Sequence, residues 1–180
     1  MNGVCLKKRA LFIGRFQPFH NGHLYAVKHI LREFEEVVIV VAAAQYSFTM
    51  DNPFTAGERI EMIREGLGDL YERTYVVPVD NVPSNYEWPR HVLSYTPRVE
   101  AVFSNNELVR TLFENYGLRV HSTPLLENVS GTLVRTLMAT GGDWKSKLPP
   151  GTARVVEEIN GVERVRVLWR LSHRVPGERF

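Results

Sequence analysis

Two kinds of hydrophobic spacing take turns along this chain. Residues 9–14 form a short apolar run that ends at a glycine, as a buried strand does. Within residues 22–34 the positions Leu24, Val27, Ile30, Leu31 and Phe34 recur at helical spacing. Residues 37–43 return to an uninterrupted Val-rich run, the pattern of a central parallel strand covered on both faces. Thr55-Ala56-Gly57-Glu58 has the form of a capping box, and Ile60, Ile63 and Leu67 follow on one helical face. Strands are predicted at 74–79, 99–104 and 118–121, with a helix at 107–116 stopped by Gly117. After Ser130 the pattern is helical only: 132–139, a helix behind Pro149-Pro150 ending at Gly161, and a last one over 162–171. The closing residues, 174–180, read as a frayed tail.

Strand and helix in alternation predict an α/β fold with a parallel sheet of about five strands. The chain is expected to form one domain over 1–180: an α/β core at about 9–129, C-terminal helices at about 130–171, and the tail. Ligands of such sheets bind outside the carboxyl ends of the strands, where strand order reverses. The loops after the first and fourth strands are therefore where chemistry is expected.

The first of these loops reads Gly14-Arg15-Phe16-Gln17-Pro18-Phe19-His20-Asn21-Gly22-His23. It leaves a strand and enters a helix, where backbone N–H groups and the helix dipole favour an anion. His20 and His23 stand three apart across the helix start, so both can face one bound group. Arg15 adds a permanent charge, and Gly22 allows close approach to the backbone. The loop has the parts of a phosphate cradle, although no GxxxxGK[ST] motif occurs in the chain. A second helix start, Ser130-Gly131-Thr132, offers hydroxyls and amides again, with Arg135 one turn further along the same face. Taken singly, either feature also reads as ordinary helix capping.

Composition narrows the field. Of 180 residues, 22 are basic and 20 acidic, a formal charge of +2, which argues against the basic stripe of a nucleic-acid binder. Seventeen of the basic residues are Arg and five are Lys; a thermostable surface or codon usage explains most of that bias. The single Cys5 cannot form an intrachain disulfide, no Cys/His cluster has zinc spacing, and a reducing, cytoplasmic setting is expected. The longest apolar run, 37–44, has 8 residues against about 20 for a membrane span, so no membrane contact is expected.

His20-Asn21-Gly22-His23 has the His-x-Gly-His form of the nucleotidyltransferase superfamily, and the string from Gly14 to His23 resembles the archaeal nicotinamide-nucleotide adenylyltransferases. The resemblance continues through Asn52-Pro53-Phe54-Thr55-Ala56-Gly57-Glu58-Arg59, through Ser130-Gly131-Thr132-Leu133-Val134-Arg135, and through residues 158–164. It implies a Rossmann-like doubly wound sheet with a C-terminal helical extension. It also implies an enzyme that joins ATP and nicotinamide mononucleotide into NAD and pyrophosphate, with Mg²⁺ accompanying ATP and no metal caged by the protein. ATP would be met by Gly14, Arg15, Phe16, Gln17, His20, Gly22, His23, Asn105, Ser130, Thr132 and Arg135. Of these, His20, His23, Arg15 and Arg135 would be catalytic. Nicotinamide mononucleotide would be met by Val82, Asn85 and Trp88, the amide on the carboxamide and the indole on the ring. From the residues alone, Trp88 reads more readily as a helix residue buried in the core, and a plain turn explains Ser104-Asn105-Asn106 almost as well. A homo-oligomer, commonly a hexamer, is the implied assembly. The same resemblance marks departures: Phe48 in place of His, Asn106 in place of Pro and Leu133 in place of Glu. Other phosphate acceptors (phosphopantetheine, FMN, nicotinic acid mononucleotide) and a nucleotide-binding regulator without turnover stay open.

Overall fold

The computed structural model describes residues 7–173; Cys5 and the expected tail at 174–180 lie outside them. Strands β1 (Arg9–Gly14), β2 (Glu36–Ala42), β3 (Thr74–Val79), β4 (Ala101–Phe103) and β5 (Arg119–His121) form one sheet in the order β3-β2-β1-β4-β5. Each neighbouring pair is parallel, with Phe12 opposite Ile39 on one side of β1 and opposite Phe103 on the other. Strand order thus reverses at β1: the chain builds outward through β2 and β3, then crosses back to β4 and β5. The parallel sheet is what the spacing predicts, and its doubly wound, Rossmann-like order is what the resemblance implies.

The helices are α1 (Asn21–Ile30), α2 (Ala56–Leu67), α3 (Trp88–Tyr95), α4 (Glu107–Asn115), α5 (Gly131–Thr140), α6 (Pro150–Glu158) and α7 (Gly161–Ser172). Most lie within a residue or two of the spacing-based ranges. Helix α1 is shorter than predicted. Arg73 donates to the carbonyls of Leu31, Phe34 and Glu35 at 3.2, 3.0 and 2.9 Å, so the chain leaves the helix there and turns toward β2. Helix α3 carries Pro89 in its first turn and spans eight residues, too short for a clear periodicity.

The described residues fall into two compact units that share the chain in alternating segments. The first comprises residues 7–14, Tyr25–Ala44 and Asp69–Leu125 and holds the whole sheet. Its core joins Leu11, Val38, Val40, Val79, Val92, Val102 and Phe113, and β2 is buried along its full length. The second comprises Arg15–Leu24, Gln45–Gly68 and residues 126–173. In it Thr152 donates its hydroxyl to the Met62 carbonyl at 2.9 Å, tying α6 to α2. The α2 capping box is complete: Glu58 N–H donates to Thr55 Oγ1 at 3.2 Å and Thr55 N–H to Glu58 Oε2 at 2.9 Å. Arg164 of α7 adds a bidentate pair to the same carboxylate at 2.6 and 2.8 Å. Burial pushes the Glu58 carboxyl up, but the bonds from Arg164 and Thr55 outweigh it and hold it below its ordinary value. No helix among the described residues is long and apolar enough to cross a membrane.

Candidate active site

Within the second unit, Arg15, Phe16, Gln17, His20, His23, Gly131, Thr132 and Arg135 line one cavity of about 180 Å³. The first helix start and the second therefore meet, as two segments more than a hundred residues apart in sequence. The join is made by Arg135, whose Nη1 donates to the Gln17 carbonyl at 3.0 Å. Gly131 makes room for it: a Cβ there would lie 3.1 Å from Arg135 Nη1 and 3.3 Å from the Gln17 oxygen. Arg135 Nη2 reaches Thr132 Oγ1 at 3.4 Å, so the two residues share a helix face as their spacing predicts.

The histidine pair is packed rather than free-standing. The His20 and His23 rings stack at 3.6 Å between centroids, and His23 meets Phe16 edge-on at 4.8 Å and Phe19 at 5.5 Å. The His20 backbone N–H donates to His23 Nδ1 at 3.1 Å, so neutral His23 must carry its proton on Nε2. The His20 carbonyl receives the N–H groups of His23 and Leu24 at 2.9 and 3.1 Å and so opens α1. A Cβ at Gly22 would lie 3.1 Å from the His20 ring and 3.2 Å from Val129, so its smallness also makes room for the histidine. Burial lowers the His20 pKa to about 4. Burial, with a smaller contribution from His20, puts His23 well below its ordinary value. With no anion beside them both rings are neutral at pH 7, and each offers an N–H donor. His20 Nδ1 is buried without a hydrogen-bond partner.

Three arginines surround the loop. Arg59, fully buried on α2, donates to the Arg15 carbonyl at 2.9 Å and to the Thr55 carbonyl at 3.3 Å. Burial, then the nearby Arg15 charge, lowers its pKa to about 10. Arg135 is lowered by burial and by Arg15, against the opposing pull of Asp51. Like charges held this close gain from an anion between them. Gln17 reaches the cavity, but its side-chain amide exchanges two 2.9 Å bonds with the Phe54 backbone, which fixes the loop. Spacing gave no sign of Arg59: the quoted segment ends on it, yet burial of a cation inside a capped helix leaves no pattern. Asp51, 3.7 Å from Arg135, was equally invisible.

Ser130 caps α5 by accepting the Leu133 N–H at 3.1 Å. With Leu133 at the third helical position no carboxylate reaches back, so α5 has half of the box that α2 has whole. Gly14 ends β1 in the first unit, next to Arg15. The other expected contacts also belong to that unit. Trp88 is 8% exposed, packs edge-on to Phe113 at 5.8 Å within the apolar core, and leaves Nε1 without a partner. Val82 lies partly buried against the same core, and Asn85 is exposed. Asn105 Nδ2 donates to the Thr123 carbonyl and hydroxyl at 2.9 and 2.6 Å, its Oδ1 accepts the Thr123 N–H at 2.9 Å, and Asn106 caps α4 by accepting the Val109 N–H at 3.0 Å. Among the described residues no three His, Cys, Asp or Glu side chains converge as a metal site.

Residues 11–137 match the cytidylyltransferase-like family model. A nicotinamide-nucleotide adenylyltransferase of Methanothrix thermoacetophila is 45% identical over 161 residues, 88% of this chain and 95% of the relative. One of Picrophilus torridus is 47% identical over 164 residues, 89% of this chain and 96% of the relative. Among solved structures, a bifunctional NMN adenylyltransferase/ADP ribose pyrophosphatase of Francisella tularensis, complexed with AMP and a manganese ion, superposes with a TM-score of 0.72 at 19% identity. That likeness covers 97% of this chain but 58% of the longer protein, and it speaks for the fold.

Proposed function

Because the chain belongs to the cytidylyltransferase-like family and, within it, to the nicotinamide-nucleotide adenylyltransferases, we propose that it makes NAD and pyrophosphate from ATP and nicotinamide mononucleotide. The observation that carries this reading on the physical side is the convergence of two helix starts, two neutral histidines and Arg135 on one small cavity. The phosphate oxygen of the mononucleotide attacks the α-phosphorus of ATP in line, and the bond to the β-phosphate oxygen breaks. An ionised phosphate needs no general base, so catalysis consists of positioning and charge stabilisation.

Each residue has a role in that scheme. His23 donates Nε2–H to an oxygen on the reacting phosphorus, and His20 supports it as stacked neighbour and second donor. Arg15 steers the attacking and transferred phosphates. Arg135, with the amides and hydroxyls of Ser130, Gly131 and Thr132, holds the departing pyrophosphate. Phe16 and Phe19 wall the histidines off from water, which strengthens every charge interaction inside. The cavity lining supplies cations and neutral donors, with the Asp51 carboxylate beside Arg135, so a magnesium ion would be held mainly by the triphosphate that brings it. When bound it supplies charge neutralisation on the phosphates. On the acceptor side the reading rests on the resemblance: Asn85 meets the carboxamide through its exposed amide, beside Val82 and Trp88. Asn105 supports the adenosine segment through its tie to Thr123. A cytoplasmic homo-oligomer completes the proposal.

The test is an acceptor panel with ATP, followed by pyrophosphate release and product mass. Release with nicotinamide mononucleotide, and formation of NAD, supports the reading. Release only with phosphopantetheine or FMN would redirect it to another acceptor, and ATP binding without release under any acceptor would replace it with a regulator.

A further inference from the structure

One acidic group stands among the cations of the cradle. Asp51 Oδ1 lies 3.7 Å from Arg135 Nη2, its side chain 77% exposed and that of Arg135 6%. The fold fixes where this carboxylate stands. Thr49 and Asn52 exchange both backbone hydrogen bonds, at 3.2 and 3.1 Å, and the Asn52 N–H also donates to the Thr49 hydroxyl at 3.1 Å. Asp51 is on the tip of that closed turn. Before the turn, the Arg164 guanidinium covers the Phe48 ring at 4.5 Å; after it, Arg164 holds the Pro53 carbonyl at 3.2 Å and Gln17 clamps Phe54. Arg135, for its part, is weakly satisfied on this side. Among the described residues its Nη2 has, besides Asp51, a long bond to Thr132, and its Nε is buried without a partner.

We infer that Asp51 sets the affinity of the cradle for its phosphate substrate, as a built-in anion on Arg135 that the incoming phosphate chain must displace. The inference rests on the phosphate reading of the cavity. A carboxylate and a phosphate oxygen compete for the same guanidinium edge, and both cannot remain there without repulsion. Holding the free enzyme in this paired state weakens binding of the triphosphate and of the pyrophosphate product alike, which eases product departure.

Calorimetric titration of the full chain with inorganic pyrophosphate, and with ATP in the presence and absence of magnesium, tests this. Asp51→Asn keeps the size and removes the charge. It is expected to tighten pyrophosphate about fivefold, an effect that disappears when Arg135→Gln is already present. In steady-state assays the KM for ATP falls while the KM for nicotinamide mononucleotide does not move. Unchanged or weaker pyrophosphate binding by Asp51→Asn overturns the inference, and so does tightening that persists without Arg135. Loss of ATP binding only when magnesium is present would overturn it in favour of a cation ligand. If no acceptor yields NAD, yet Asp51→Asn still tightens pyrophosphate through Arg135, the catalytic proposal fails and this one stands.

Discussion

The two stretches expected to carry chemistry are built in opposite ways. In the cradle, residues 15–23 and 130–135 have their backbones tied down by Gln17, Arg59 and Arg135, while imidazole and guanidinium groups line open space. In residues 82–88 the group with the most recognisable chemistry, the Trp88 indole, is packed on Phe113 within the apolar core. Preorganised donors favour catalysis because nothing has to be rearranged when charge develops. A buried ring serves stability first, and any ligand role must be performed by the little it leaves exposed. The lesson is that the same motif-level match can rest on side chains that line a cavity in one unit and on a core position in the other.

That contrast is open to experiment. Trp88→Ala is expected to cost about 3–5 kcal/mol of stability, measured by urea denaturation, as a large core truncation does. A loss under 1 kcal/mol together with a raised KM for nicotinamide mononucleotide would make Trp88 a ligand wall and erase the contrast. His23→Ala should lower the rate of NAD formation by about 10²–10³, with the fold checked by circular dichroism; a rate within about threefold of the parent would remove His23 from the site. The pH dependence follows from His20. Its folded pKa of about 4 lies below the ordinary 6.5, so the unfolded chain binds the extra proton first as the pH falls. Its contribution is fully present above pH 6.5 and is lost on acidification toward pH 4, amounting to about 1.5 kcal/mol between pH 6.5 and 5. Denaturation midpoints across that range should show the slope, and His20→Asn should reduce it, the remainder belonging to His23, whose pKa burial also lowers. The smallest effect belongs to the first unit: Asn106→Ala removes the α4 cap and costs about 1 kcal/mol.

What the sequence disclosed depended on how locally each feature is encoded. The Val-rich β2 run, the α2 capping box and the histidine loop are each written in a few adjacent residues, and each is found where spacing puts it. The shortened α1 is different, because Arg73 ends it from 38–42 residues away. The Arg bias shows the same limit. Arg59, Arg73, Arg135 and Arg164 donate to distant backbone carbonyls, which suits a multi-pronged donor, but no spacing rule reveals the partners. Asp51 and the smallness of Gly22 belong to this class: each matters only through a contact that the folded chain creates. Asn106 lies between the classes. It stands in place of Pro within the resemblance, and its role as a helix cap follows from the side-chain acceptor that Pro lacks.

The long tie between Arg135 and Gln17 also orders events during synthesis. The ribosome makes His20 and His23 before α5, and the guanidinium that locks their loop comes 118 residues after Gln17. At about 5–20 residues per second, that is a wait of about 6–24 s. Arg164, which clamps Glu58 across 106 residues, arrives later still. Until then the aromatic side chains of Phe16, Phe19 and Phe54 have no finished interior to enter. The anion site is therefore begun at the histidine loop and closed only by residues made much later, and a chain stalled before α5 carries both histidines but no cradle.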